Sequence, residues 1–263
     1  MSEDQEWAAY FYPSTDIFIN KLGIHDDRLW EAERFLVSRR TEQLYAGVAD
    51  IQRTFDLEHL KAIHRFLAQD VYDWAGQLRT VQLGKRIEEG EPSRWFVAPT
   101  AIEKWVGAVT EISRELDWPS MGRETFVKEI SNLHTALNFG HPWRELNGRA
   151  TRVYLHHVAE QTPFQLDFDR VEPDEWNAAS RDSIHPGRER PAGGPLNYEP
   201  GERVFEKIVV ARAYTAALGE GSAARFAQLD FPTSPTLATA GAAYTSGYRP
   251  PPVDRGKGTS LER

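Results

Sequence analysis

No cysteine occurs in the 263-residue chain, which excludes both a disulfide framework and a thiolate metal site and leaves packing to hold the fold. A run of basic residues is also missing. Lys and Arg number 31 against 39 Asp and Glu, a net charge of −8, and they are scattered. That balance argues against a protein that coats nucleic acid, which needs clustered cations to displace counterions from phosphate, and no direct nucleic-acid partner is expected. A nucleotide pocket needs only two or three local cations, so an acidic surface leaves one open. Nowhere is there an apolar run of 18 residues, and MSEDQEWAAYFYPSTD has neither the basic start nor the apolar core of a secretory signal. The expectation is a cytoplasmic protein, soluble where it is made and with export left open, that has no membrane partner. No internal repeat is found.

What is present is enough for a core: 40 % of residues are hydrophobic and eight are tryptophan. The expected organisation is one folded domain over residues 1–225, mainly α-helical, followed by a disordered tail over 226–263. The tail is rich in Pro, Gly, Ser, Thr and Ala without sustained apolar period, so it cannot repay the entropy of ordering. A long, interrupted helical stretch begins near Asp26, with Leu29, Trp30, Phe35, Leu36, Leu44, Val48 and Ile51 roughly on one face. Asp56 can cap a second helix carrying Leu57, Leu60, Ile63 and Leu67. From Thr80 to Val97, β-favouring residues flank a polar, glycine-bearing stretch, which reads as a β-hairpin with a long tip. Thr100 and Glu103 suggest a capping box for a third helix with Ile102, Trp105, Val109, Ile112 and Leu116 buried. A fourth helix carries Phe126, Val127, Ile130, Leu133, Ala136 and Leu137, and a fifth carries Ala150, Val153, Tyr154, Leu155 and Val158. Two more are expected over 173–183 and 202–218.

Between the fourth and fifth helices lies HPWRELNGRATR, residues 141–152. Pro142 ends one helix, and Asn147 and Gly148 stand where the next begins, so open N–H groups and the positive end of a helix dipole face the loop. Arg149 and Arg152, one helical turn apart, add two cations. Together these suit a polyphosphate. Beside them stand an imidazole, His141, which can exchange a proton near neutral pH, and a carboxylate, Glu145, of the kind that holds Mg²⁺ next to phosphate oxygens. Phosphoryl and nucleotidyl transfer need charge neutralisation, positioning and a base for the incoming hydroxyl, and the loop offers all of them.

The stretch resembles the Fic family signature HPFx(D/E)GN(G/K)RxxR, matched at His141, Pro142, Glu145, Asn147, Gly148, Arg149 and Arg152. FYPSTDIFINKLGI, DLEHLKAIHRFLAQDVYDWAGQLRT and VEPDEWNAAS resemble further regions of Fic proteins from bacterial toxins and effectors, so the similarity spans about residues 7 to 215. The resemblance implies a helical bundle with a hairpin flap and an enzyme that moves AMP from ATP to a Ser, Thr or Tyr hydroxyl of a target protein. It further implies His141 as base, Glu145 on Mg²⁺, Asn147, Gly148 and Arg149 around the phosphates, and Arg152 on the terminal phosphate. The flap, with Val81, Gln82, Leu83 and Gly84, would dock the target by strand addition. Other group transfers on the same loop, or a degenerate domain that only binds a partner, are the alternative readings.

Two positions depart from the signature. Trp143 replaces the usual phenylalanine, a change of size in an aromatic anchor. Leu146 replaces the usual glycine, and its effect depends on its backbone: a negative φ leaves a working site, whereas a positive φ costs about 1–2 kcal/mol and makes the loop strained or retired. The inhibitory pattern (S/T)xxxE(G/N) of many Fic proteins is not matched: Glu89 and Glu220 lack the hydroxyl residue, and Glu58, preceded correctly by Thr54, is followed by His59. A separate small antitoxin-like partner is therefore expected to supply the inhibiting glutamate. Elsewhere the bland readings prevail. His134 is expected at a helix surface, and His156 and His157 point about 100° apart and cannot chelate one metal together. Trp30, Trp74, Trp105 and Trp176 read as core, and Glu88, Glu89 and Glu91 as a solvated loop tip.

Overall fold

A computed structural model describes residues 3–85, 94–186 and 196–212. The expected tail and most of the flap tip lie outside the described residues. The described chain is mainly helical, in the order α1 (Glu3–Ala8), α2 (Arg28–Tyr45), α3 (Leu57–Ala68), β1 (Gly84–Lys85), β2 (Arg94–Trp95), α4 (Ile102–Glu115), α5 (Arg123–Gly140), α6 (Asn147–Ala159), β3 (Phe164–Leu166), α7 (Pro173–Asp182), α8 (Glu199–Ile208) and β4 (Val209–Ala211). Helix α5 packs against α4, α6 and α8, while α3 lies along α6. Burial follows the apolar spacing: Phe126, Val127, Ile130 and Leu137 of α5 and Ala150, Val153, Tyr154 and Leu155 of α6 are all buried in one core.

Asp56 caps α3 as its sequence position suggests, its side chain accepting from the His59 N–H. Helix α2 stops at Tyr45, and Gly47 with φ +68° makes the expected interruption. Its inward face is Leu29, Val37, Thr41 and Leu44, whereas Phe35 and Val48 are exposed. Thr100 caps nothing: it lies inside a 3-10 turn, Pro99–Ala101, that leads into α4. Ile112 turns outward, so the stripe of α4 is Ile102, Val106 and Thr110. The last expected helix, α8, ends at Ile208, short of its expected length, because Val209, Val210 and Ala211 leave the helix to pair as β4 with β3. His134 is buried, not at the surface, its ring against Trp176 at 4.7 Å and Phe205 at 5.5 Å.

Candidate active site

The site forms where α5 stops. His141 takes a left-handed backbone, φ 40° and ψ 60°, while its N–H still bonds the Leu137 carbonyl at 3.0 Å. The turn throws the imidazole out of the helix and against Phe96, the ring centroids 3.7 Å apart and the planes 10° from parallel. Arg79 holds this corner. Its buried guanidinium donates to the carbonyls of His141 at 2.8 Å, Val81 at 2.7 Å and Gly140 at 3.5 Å, and also to Val97, while its own backbone N–H bonds the Pro142 carbonyl at 2.9 Å. Burial pushes this arginine down to about 10, and the carbonyls at the negative end of α5 take the place of a carboxylate partner.

From Pro142 the chain turns sharply into α6. Asn147 closes the turn: its Oδ1 accepts from the Trp143 N–H at 2.9 Å and its Nδ2 donates to the Trp143 carbonyl at 2.8 Å. The side chain is thus spent on the loop, and what Asn147 presents to a ligand is its backbone at the start of α6. Leu146, the residue before α6, has φ 63° and ψ 14°, the left-handed conformation that glycine adopts without strain. The residue is 7 % exposed and packs into the main core. Leu146 thus falls on the positive-φ side of the expectation, the strained form of the loop, and burial of a leucine, worth roughly 1.5–3 kcal/mol, is comparable to that strain. Above Gly148 the space is open, for a Cβ built there meets nothing within 4 Å.

The charged groups form one buried cluster. Glu145, its side chain 17 % exposed, places one oxygen 3.3 Å from Arg144 Nη1. Burial pushes its carboxyl up to about 7; Arg144 opposes the shift most, Glu33 reinforces it, and Arg149 and the Leu146 N–H oppose it less. Glu33 of α2 accepts from the Tyr72 hydroxyl and lies 3.8 Å from Arg149 Nη1. Burial raises the Glu33 carboxyl and lowers Arg149. Arg152 packs over Phe168 at 5.6 Å and Trp176 at 5.4 Å, and its Nε has no hydrogen-bond partner among the described residues. The second oxygen of Glu145 meets no side-chain donor among the described residues. A partly exposed carboxylate oxygen with no side chain on it fits Mg²⁺, which binds through one or two carboxylates plus phosphate oxygens and water; no group of three or more acidic or histidine ligands occurs among the described residues.

His64 of α3 supports the loop from below. Its Nδ1 accepts from the Gly76 N–H at 2.9 Å, so its proton sits on Nε2, which donates to the Glu145 carbonyl at 3.2 Å. The ring stacks on Trp143 at 4.2 Å and 3°, and burial lowers it to about 3, leaving it neutral. Gly76 must be glycine here: its φ is 79°, and a Cβ on it would stand only 2.9 Å from Arg65 Cβ. Sequence reasoning missed His64, Arg79, Glu33, Tyr72 and Arg144 as parts of the site. For His64 a signal existed: it shares the buried face of α3 with Leu60, Ile63 and Leu67, and a polar residue on an apolar face needs a partner.

The hairpin base lies beside His141. Gly84 pairs with Trp95 and Lys85 with Arg94. Val81, Gln82 and Leu83 are buried, and Gln82 Nε2 donates to the Phe96 carbonyl at 2.8 Å. The N–H groups of Val81, Gln82 and Leu83 find no backbone partner among the described residues.

The helix–turn–helix thus carries an imidazole, a carboxylate and two arginines at or beside the N-terminus of α6, an arrangement with the chemistry to bind phosphate. The sequence profile of the Fic/DOC family matches residues 54–159. The chain is 34 % identical over 178 residues to protein adenylyltransferase VbhT of Bartonella schoenbuchensis, covering 67 % of this chain and 36 % of that protein. It is 31 % identical over 174 residues to the probable protein adenylyltransferase Fic of Escherichia coli, covering 65 % of this chain and 82 % of the relative. The chain belongs to the Fic/DOC family, and it spans about a third of the length of VbhT. In fold it is similar to the N-terminal Fic domain of a Bartonella effector protein (TM-score 0.65, 24 % identity, 77 % of this chain and 91 % of that one). It is similarly close to BepC of Bartonella tribocorum with bound AMPPNP (TM-score 0.65, 21 % identity, 78 % and 98 %).

Proposed function

We propose that the chain is a protein adenylyltransferase that moves AMP from ATP to a Ser, Thr or Tyr hydroxyl of a target protein, in the role of a bacterial toxin or effector. The observation that carries this reading is the turn at 141–147, which sets His141 beside the flap base at one end and opens α6 with Gly148, Arg149 and Arg152 at the other. ATP phosphates would lie at the α6 N-terminus, met by backbone N–H groups and by Arg149, with Arg152 on the terminal phosphate. Mg²⁺ would be held by Glu145 and supplies charge neutralisation at the phosphates. His141 takes the proton of the target hydroxyl as its oxygen attacks the α-phosphorus and pyrophosphate leaves. The flap base, with Val81, Gln82, Leu83 and Gly84, is where a target segment would dock by strand addition and so register its hydroxyl against the phosphate.

Leu146, whose φ of 63° is the form expected of a strained or retired loop, qualifies this reading, and the labelling experiment decides whether the loop still works. A separate small inhibitor that brings a glutamate to Arg152 belongs to the same proposal. Action in the bacterial cytoplasm and export as an effector both fit it, and no helix of the described residues is long and apolar enough to cross a membrane. The test is incubation with target lysate and ATP labelled at the α- or the γ-position. Transfer of the α label, lost by roughly 10²–10⁴-fold in His141→Ala and on chelation of Mg²⁺, is the expected result. Label from the γ-position alone would make the chain a phosphotransferase. No label from either would leave a donor other than ATP, such as one of UMP or phosphocholine, or a domain that binds a partner without chemistry; intact-mass analysis beside His141→Ala separates them, since no mass gain of any kind means no chemistry. Co-expression with a neighbouring small reading frame tests the inhibitor, which should form a complex and suppress labelling.

A further inference from the structure

Arg144 occupies the position that the family signature leaves open, yet it is 6 % exposed and built into the site. Its guanidinium lies over three rings of the N-terminal segment: Trp7 at 4.4 Å, Phe18 at 4.6 Å and Phe11 at 5.5 Å. The rings brace one another. Phe11 stacks on Phe18 at 4.8 Å, the two residues form a backbone bridge, and Trp7 meets Phe11 at 5.7 Å. Phe18 in turn touches Tyr72 edge-on at 5.9 Å, and Tyr72 bonds Glu33. A cation enclosed by three π-faces is held both by their electrostatic attraction and by the exclusion of water.

Among the described residues of the buried cluster, Arg149 feels both acids, Glu33 and Glu145, while Arg144 lies on Glu145. The contacts are sorted, with Arg144 on Glu145 at 3.3 Å and Arg149 against Glu33 at 3.8 Å. Without Arg144, no side chain among the described residues donates a hydrogen bond to Glu145, and its carboxylate is left to turn away from the cation site.

We propose that Arg144, gripped by Trp7, Phe11 and Phe18, is a positioning residue that pins one oxygen of Glu145 and leaves the other to a divalent cation, making residues 7–18 a working part of the catalytic centre. This rests on the nucleotide-transfer reading above. Arg144 touches neither reacting atom; it acts through Glu145, as residues behind a metal ligand do.

The experiment is a titration of the full chain with Mn²⁺, followed by the electron paramagnetic resonance of the free ion, with and without a non-hydrolysable ATP analogue. Melting curves check folding. Arg144→Met should weaken Mn²⁺ binding in the presence of the analogue by about 10-fold, in the range typical of outer-shell partners of metal ligands. Metal-free affinity for the analogue should stay within about twofold, because Arg149 and the α6 N-terminus are untouched. Arg144→Lys should recover most of the loss, and Trp7→Leu should show a smaller loss in the same direction. A folded Arg144→Met chain that binds Mn²⁺ as the unmutated one does would overturn the proposal. So would equal losses with and without metal, which a general loosening of the site would give. Should Arg144→Met not fold, Trp7→Leu decides in the same way. An unmutated chain that binds neither analogue nor metal would refute the nucleotide reading itself; one that binds both, alongside an unchanged variant, refutes only the role of Arg144.

Discussion

Helices α3 and α6 are joined by a histidine at two places, and the two junctions use the same hydrogen-bond logic for different ends. In the middle of α3, His64 accepts from the Gly76 N–H and donates to the Glu145 carbonyl just before α6. At the start of α3, His59 accepts from the Phe55 N–H at 3.3 Å and faces His157 Nδ1 at 3.0 Å, with the two rings nearly parallel. Both α3 histidines are buried and both carry their proton on Nε2. The difference is the acceptor. A carbonyl cannot titrate, so the His64 junction holds the catalytic loop in one arrangement throughout the working pH range. A second imidazole can titrate, so the His59 junction is open to acid. Burial and tautomer alone do not separate a site-supporting histidine from a purely structural one; the partner does.

The largest expected effect comes from breaking the first junction. His64→Phe keeps the flat contact with Trp143 and removes both hydrogen bonds, and the transfer rate should fall by about 100-fold through misplacement of the loop. Target KM should change little, since the flap is untouched, and steady-state kinetics on the folded variant would separate these. Comparable loss in a matched His59→Phe chain would abolish the contrast between the junctions.

Acid should break the second junction. Burial holds His59 at about 4 and His157 at about 2 in the folded chain, against ~6.5 for an unfolded histidine. The unfolded state therefore binds protons that the folded state refuses, and stability is lost as pH falls from about 6.5 toward about 4. Melting temperature should drop by roughly 5 °C between pH 7 and pH 5. Replacing both His59 and His157 by Phe should flatten that slope in part, His156 at about 4 and His64 at about 3 contributing the remainder in the same direction. A slope unchanged in the double variant would show that the pair is not the acid-sensitive element.

The smallest effect concerns the loop itself. Leu146→Ala keeps the left-handed strain and loses the buried side chain, whereas Leu146→Gly loses the side chain and relieves the strain. The glycine variant should be the more stable of the two by about 1 kcal/mol in denaturant titration. The reverse order would mean that the leucine backbone is not strained.

The helical frame was readable because apolar spacing is a local signal: α3, α5, α6 and α7 lie where their periodicity places them, and Asp56 caps as written. The motif residues were readable because they are contiguous. What escaped is non-local. Glu33, Tyr72 and Arg79 reach the site from distant stretches of chain, Arg79 lying 62 residues before the carbonyl of His141 that it grips, and nothing in their own neighbourhoods distinguishes them from ordinary helix or loop residues. Asn147 was legible as a site residue but not as the clasp of its own turn. The misjudged faces, Phe35, Ile112 and His134, sit on helices whose partners come from distant segments, so period fixed the helix without fixing which side turns inward.

If the chain transfers a nucleotide to a protein as proposed, Arg79 couples two selections that it must make. One guanidinium grips the carbonyls at both legs of the hairpin and those at the end of the catalytic helix. On the proposed reading, a protein strand laid along the hairpin would not slide without dragging His141, so the choice of partner and the aim of the base would be geared together. Retuning which protein is modified would then work through side chains farther along the hairpin and not through its root, where a shift would misalign the proton acceptor for every substrate at once.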